Sequence, residues 1–197
     1  MSAVDESQRR GRRQFVLVAS LFIVPLATAI LLYYSSGWRP AVGAHGELIN
    51  PPRPLTVGGL MLRDGRPAPA DVFEGRWSLV HDAGAACDDR TRALLDELGQ
   101  VRLALDKDTP RVRRVLLHQG SCESVEFLSR DADLLVLAAV GPAGKAFLSQ
   151  FPTALEAGRG IYIVDPHGNL MMAYPAAGSA RGLLKDLERL LRLSNIG

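Results

Sequence analysis

From Phe15 to Tyr34 there are twenty residues without Asp, Glu, Lys or Arg, FVLVASLFIVPLATAILLYY. Twenty residues of helix span about 30 Å, the thickness of a hydrocarbon core, so the pattern predicts a transmembrane helix. Beyond it the apolar runs are shorter and more varied. Trp77–His81 reads as a strand, followed by a glycine-containing loop. From Asp88 to Leu105 apolar residues recur at Leu94, Leu95, Leu98, Val101 and Leu105, a helical stripe. After Pro110, Val112–Leu117 reads as a strand ending at His118, and Leu134–Val140 as another apolar run broken by Gly141-Pro142. Lys145–Phe151 fits a short helix. Ile161–Val164 and Leu170–Tyr174 flank the turn Asp165-Pro166-His167-Gly168-Asn169, whose Pro fixes φ and whose Gly and Asn accept positive φ. Leu183, Leu184, Leu187, Leu190 and Leu191 give a terminal helix its apolar face.

The order is β-α-β, a connecting segment, then β-β-α. A right-handed β-α-β crossover makes its strands parallel, and the hairpin adds antiparallel arms. This is the plan of an α/β, thioredoxin-like domain behind a single N-terminal transmembrane helix. The expected organisation is an Arg-rich cytoplasmic tail over 1–14, the helix over 15–34, a Pro/Gly-rich approach segment over 35–75, and the thioredoxin-like domain over 76–197. Short strands near Leu55–Val57 and Leu60–Leu62 fit within the approach segment.

Charge sets the topology. Arg9, Arg10, Arg12 and Arg13 against Asp5 and Glu6 hold the whole net charge of +2, and the other residues balance. No broad basic field remains for nucleic acid. Positive charge stays inside, so the N-terminus is expected in the cytoplasm and the C-terminal domain in the periplasm, on the inner membrane. Tyr33, Tyr34 and Trp38 suit an outer aromatic belt. Ala27-Thr28-Ala29 also has the form of a signal-peptidase site, and Arg12-Arg13 that of a twin-arginine signal. An apolar run continuing past Ala29 favours an uncleaved anchor. Two cysteines are too few for a disulfide scaffold or a four-cysteine zinc site.

The candidate chemistry gathers at one sheet edge. Cys87 opens the first helix, whose N-terminal dipole favours thiolate, while Asp88 and Asp89 oppose it. Cys122 follows the second strand. Parallel neighbouring strands bring both cysteines, with His81 and His118, to their C-terminal edge, where α/β sheets carry their sites. Three arrangements stay open: a disulfide or redox pair, a Cys/His metal site, or unrelated residues, the last being slightly favoured over a bond. His45 and His167 read as surface histidines. Met171 and Met172 suit Cu(I) as thioethers but should point to opposite faces of a strand, so core packing is the simpler reading. Lys107 between Asp106 and Asp108 reads as a solvated helix end.

Several of these pieces resemble the Sco-type assembly factors of cytochrome c oxidase, and more closely their divergent membrane-anchored relatives. They are the single span, Gly46-Glu47-Leu48-Ile49-Asn50-Pro51-Pro52, Cys87 at the first helix, Ile161–Met172, and Lys185-Asp186-Leu187 with Leu190-Leu191. The resemblance implies a thioredoxin-like periplasmic domain that handles copper, or the thiols receiving it, with oxidase subunits or other assembly factors as partners. It also implies a Cys-x-x-x-Cys pair and a histidine just before the strand at Ile161. Here Cys87 matches the second cysteine, Ala83 replaces the first, and Gly158-Arg159-Gly160 precede Ile161. The expected function is therefore a membrane-tethered oxidase assembly factor with a degenerate copper site, and no turnover chemistry. The metal candidates are Cys87 first, then His81, His118 and Cys122. The alternatives are a thiol–disulfide oxidoreductase using Cys87 and Cys122, or an adaptor that keeps the fold without chemistry.

Overall fold

The computed structural model describes residues 3–34, 44–85, 87–120, 122, 133–152, 160–175 and 178–197. The chain divides into two compact units, Met1–Gly43 and Ala44–Gly197. The first contains one helix, α1 (Ala3–Tyr34). It starts inside the predicted tail, and Phe15, Leu17, Leu21, Phe22, Leu26 and Leu31 each leave more than half of their surface uncovered. Among the described residues no helix is long and apolar enough to cross a membrane. The anchor expectation therefore rests on the full amino-acid sequence, where Phe15–Tyr34 is uninterrupted by charge.

The second unit is built on a seven-stranded sheet. Its strands are β1 (Glu47–Pro54), β2 (Leu60–Leu62), β3 (Trp77–Asp82), β4 (Val112–His118), β5 (Leu134–Ala139), β6 (Gly160–Val164) and β7 (Asn169–Pro175), in the order β1-β7-β6-β3-β4-β5-β2. β3 and β4 are parallel, as are β4 and β5, while β6 lies antiparallel beside β3 and β7 antiparallel beside β6. The β-α-β and β-β-α plan read from the sequence is present, with α2 (Asp89–Leu103) and α4 (Ala180–Leu193) as its helices. Between them lies α3 (Gly141–Leu148). It begins where Gly141-Pro142 was expected only to break a run, because proline near the first helical position sacrifices an amide that has no intrahelical partner there.

Two cores sandwich the sheet. On one face Leu79, Val112, Ile161 and Ile163 meet Leu94, Leu98 and Val101 of α2 and Leu183, Leu187 and Leu191 of α4. On the other, Val80, Val115, Leu117 and Leu137 pack beneath Ile49, Leu60, Val72, Phe73 and Phe147. The row Phe73, Phe147, Phe151 and Tyr162 has ring centroids 4.8–5.8 Å apart. Residues 44–75 thus fall in the same compact unit as the rest of Ala44–Gly197. The strand β1 escaped the sequence because prolines 51, 52 and 54 argue against a strand. They are tolerated on this sheet edge, where the ladder with β7 is interrupted between Leu48 and Arg53. Leu55–Val57 is not a strand.

Asp186, on α4, ties the start of the domain to its end. Its carboxylate accepts from the His45 N–H (2.7 Å), the Gly46 N–H (3.1 Å) and the Tyr174 hydroxyl (2.9 Å) while only 4% exposed. Burial, and the bond to Asp186, push the Tyr174 hydroxyl far above its ordinary value. Removing the acceptor strands three donors. Asp186→Ala should therefore lose about 3 kcal/mol in urea denaturation and Asp186→Asn clearly less, at roughly 1–3 kcal/mol per buried unsatisfied group. An unchanged midpoint in Asp186→Ala would refute this role.

Candidate functional site

The parallel register of β3 and β4 pairs His81 with Leu116 and Asp82 with Leu117. The pairing continues past the strand ends, since the Ala83 N–H donates to the Leu117 carbonyl (2.9 Å) and the Gln119 N–H to the Gly84 carbonyl (2.8 Å). Gly120 fits because a side chain there would collide with the backbone of Ala85. This close approach brings Cys87 and Cys122 to a Cα separation of 5.3 Å, and they are joined by a disulfide. The sequence-based leaning towards an unbonded remnant is corrected by that geometry: the pairing of the two loops, invisible in the spacing, sets the distance. Cys122 is fully buried among Ala83, Leu95, Leu116 and Val136, whereas Cys87 is half-buried beside them. Closing a span of 35 residues contributes about 3–4 kcal/mol in the chain-entropy picture.

The α2 N-terminus is occupied by its own cap. Asp88 Oδ1 accepts from the Thr91 N–H (2.9 Å) and the Thr91 hydroxyl (3.2 Å), and Asp89 adds a second carboxylate in the first turn. His81 and His118 are both buried on this edge. His81 Nδ1 donates to the Gly160 carbonyl (3.2 Å) and His118 Nδ1 to the Gly120 carbonyl (2.8 Å). Each ring is thereby oriented by backbone. Among the described residues no group of three or more His, Cys, Asp or Glu side chains could hold a metal ion.

Of the positions that the Sco resemblance implies for copper, Cys87 is kept and the first cysteine and the histidine are not. Ala83 is wholly buried and brings no donor. The Cys87 sulfur is spent in the disulfide. Of Gly158-Arg159-Gly160, which stand before Ile161, only Gly160 lies among the described residues, and there a Cβ would lie 2.7 Å from the Tyr162 hydroxyl. The described residues do not fit a three-ligand copper centre.

Asp82 went unremarked in the sequence. It ends β3, is 7% exposed, and accepts from the Gly84 N–H (2.9 Å). Burial raises its carboxyl above the ordinary 3.8, against the opposing pull of that bond. Nearby, Tyr162 is pushed up to about 12 by burial and by the Asp82 charge. An acid next to a strand-end apolar run was the available signal. The other sequence candidates lie elsewhere: His45 is exposed over Gly182, and His167 sits in the turn organised by Asp165, which accepts from the His167 and Asn169 N–H groups. A register shift in the β6–β7 ladder, between the Ile163–Met172 and Val164–Leu170 pairs, leaves Met171 as the extra residue. Met171 and Met172 therefore lean on the same α4-side cluster, and not to opposite faces as expected. Both still serve as packing.

With that geometry in view, the comparisons are informative. The family model described as "Transmembrane-like, thioredoxin-like, C-terminal domain" matches residues 77–194. The chain belongs to this family. The transmembrane-like, thioredoxin-like protein matches no curated protein. It is similar in fold to the crystal structure of yeast Sco1, with a TM-score of 0.57 at 15% identity over 71% of this chain and 99% of that one. Arabidopsis thaliana ScoI with copper bound gives 0.57 at 13% identity, over 71% and 99%. BsSco, described with a disulfide switch, gives 0.51 at 12% identity, over 75% and 99%. These likenesses establish the thioredoxin-like fold expected from the sequence.

Asp82 provides a pH test. Its raised value means that the folded state resists ionisation. Its contribution to stability is fully favourable below 3.8 and is lost as pH rises through the raised value. Asp82→Asn keeps an acceptor for Gly84 and should raise the melting temperature at neutral pH by about 2–4 °C, the gap closing in acid. Equal destabilisation at both pH values would contradict the assignment.

Proposed function

We propose that this chain is a membrane-tethered assembly factor for cytochrome c oxidase whose outer domain holds an oxidase subunit or another assembly factor and does not deliver copper. The observation that carries this reading is the loss of the cysteine pair: Ala83 brings no donor and the Cys87 sulfur is held in the Cys87–Cys122 bond. What remains is a Sco-like fold cross-linked where the ligands would stand.

The tether is supported by the uncharged run Phe15–Tyr34 after four arginines, and by the exposed apolar side chains of α1. The Ser20 and Thr28 hydroxyls bond back onto the helix, to the Leu17 and Val24 carbonyls, as polar groups in lipid must. A disulfide suits the oxidising side of the membrane. A reporter active only in the periplasm, fused after Gly197, should be active on a chain that keeps its N-terminus. A mature chain beginning at Ile30 would establish the cleaved signal instead.

A second reading, thiol–disulfide exchange, is favoured by one asymmetry: Cys87 is partly accessible and Cys122 is not. An incoming thiolate would attack Cys87 Sγ, forming a mixed disulfide while Cys122 leaves as thiolate. Copper stoichiometry and glutathione exchange on the purified full chain separate the two. The assembly-factor reading expects less than stoichiometric Cu(I) and slow exchange, with copper binding gained in Ala83→Cys after reduction. Stoichiometric Cu(I) lost in Cys87→Ala would contradict it, and rapid exchange would install the oxidoreductase in its place.

A further inference from the structure

Arg181, Lys185, Arg189 and Leu193 stand four residues apart on α4 and so form one row along the helix. All four are exposed, Leu193 to 75%. Arg192 is exposed beside them, and Glu188 is the one exposed acid of the helix. Ala44–Gly197 as a whole carries one more acid than base, whereas this face carries four bases and one acid. The next row of α4 holds Gly182, Asp186 and Leu190. Asp186 accepts from the His45 and Gly46 N–H groups, and a side chain at Gly182 would collide with His45. The chain therefore enters the domain against the flank that the basic row borders. At the end of the row, Leu193 and Ile196, the latter 49% exposed, border a pocket of about 260 Å³ walled by Trp77, Pro166, Met171 and Leu190. The acid in its wall, Asp165, is engaged by the amides of its own turn.

We propose that this face of α4 lies on the surface of an anionic bilayer, its arginines and lysine against lipid phosphates and Leu193 and Ile196 at the headgroup boundary. Charge and apolarity together decide the occupant. A row of like charges with exposed apolar side chains at one end matches anionic headgroups set above hydrocarbon. Guanidinium groups pair bidentately with phosphate, and three of the four bases are arginines. Nine residues of sequence lie between Tyr34 and Ala44, too few to let the domain stray more than about 35 Å from the bilayer that the proposed span crosses. Within that reach the effective concentration of lipid is high, so a few weak contacts suffice. The docking face depends on the proposed tether in this respect alone. Contact along α4 gives the domain one orientation above the membrane, which suits the presentation of a single face to a partner held in the bilayer.

The full chain is reconstituted in nanodiscs with a benzophenone amino acid in place of Leu193 or, as control, of Val140, which is exposed just beyond β5 and near the opposite margin of the sheet from β7. Lipid adducts are counted by mass spectrometry after illumination. Discs containing phosphatidylglycerol should give about fivefold or more adduct at the Leu193 position than at the Val140 position. Arg189→Glu with Arg192→Glu, discs of phosphatidylcholine alone, or high salt should remove most of that excess. Both arginines are exposed, so an unchanged melting temperature shows that the double variant is folded. Equal labelling at the two positions, labelling that ignores lipid charge, or adducts to protein in place of lipid would overturn the proposal. The tether is read separately, by whether the chain stays with the discs in alkaline carbonate. Loss there, after salt-sensitive labelling at the Leu193 position, refutes the anchor and keeps the docking face; retention without that labelling refutes the docking face alone.

Discussion

The parallel ladder between β3 and β4 is the constraint on which the rest of the domain depends. Every residue of β3 is buried, and β4 is buried except for a half-exposed Arg113, so both strands have cores on their two faces. Parallel strands need a crossover, which α2 supplies. The crossover returns the chain to the sheet in the same direction, and both C-terminal loops emerge at one edge. The Ala83–Leu117 and Gln119–Gly84 hydrogen bonds then zip those loops together beyond the strands. Cys87 and Cys122 meet as a consequence of that pairing, and the disulfide locks an approach that the backbone has already made.

The same packing accounts for what the edge does not do. Open α/β sheets carry their sites at the carboxyl ends of the strands, yet this edge is finished in apolar contacts: Ala83, Leu95, Leu116 and Val136 surround Cys122. The two histidines are oriented by the carbonyls of Gly160 and Gly120. Polar chemistry survives mainly where it holds the chain together. Asp186 collects the amides that open the domain, and Arg111 donates to the carbonyls of Leu191, Ser194, Ile196 and Gly197 to cap α4 and its tail. Asp82 is the exception, a buried acid whose ionisation the fold resists.

Periodicity in the sequence was enough for the strands Trp77–Asp82, Val112–His118 and Ile161–Val164 and for both long helices, because each buries a regular apolar set. The turn at Asp165–Asn169 was equally readable from its residue types, and Gly168 has the positive φ it requires. β1 was not readable, since its prolines break every local rule for a strand and its place is secured by pairing with β7. The bulge that turns Met171 and Met172 to one side has no sequence signature either. At the site, topology predicted the shared edge. The bond depended on loop-to-loop hydrogen bonds and on the space above Gly120, which spacing does not encode. The sequence shows no histidine across Gly158-Arg159-Gly160, and only the structure shows the Tyr162 ring against Gly160.

The central claim is that Cys87 and Cys122 are joined at the C-terminal edge of β3 and β4. Peptide mapping by mass spectrometry under non-reducing conditions, on protein extracted from membranes with free thiols alkylated at once, tests it most directly. The account predicts a single linked peptide pair containing Cys87 and Cys122 in nearly all molecules, with no co-purifying copper. Both cysteines recovered in alkylated form from protein that carries copper would contradict it.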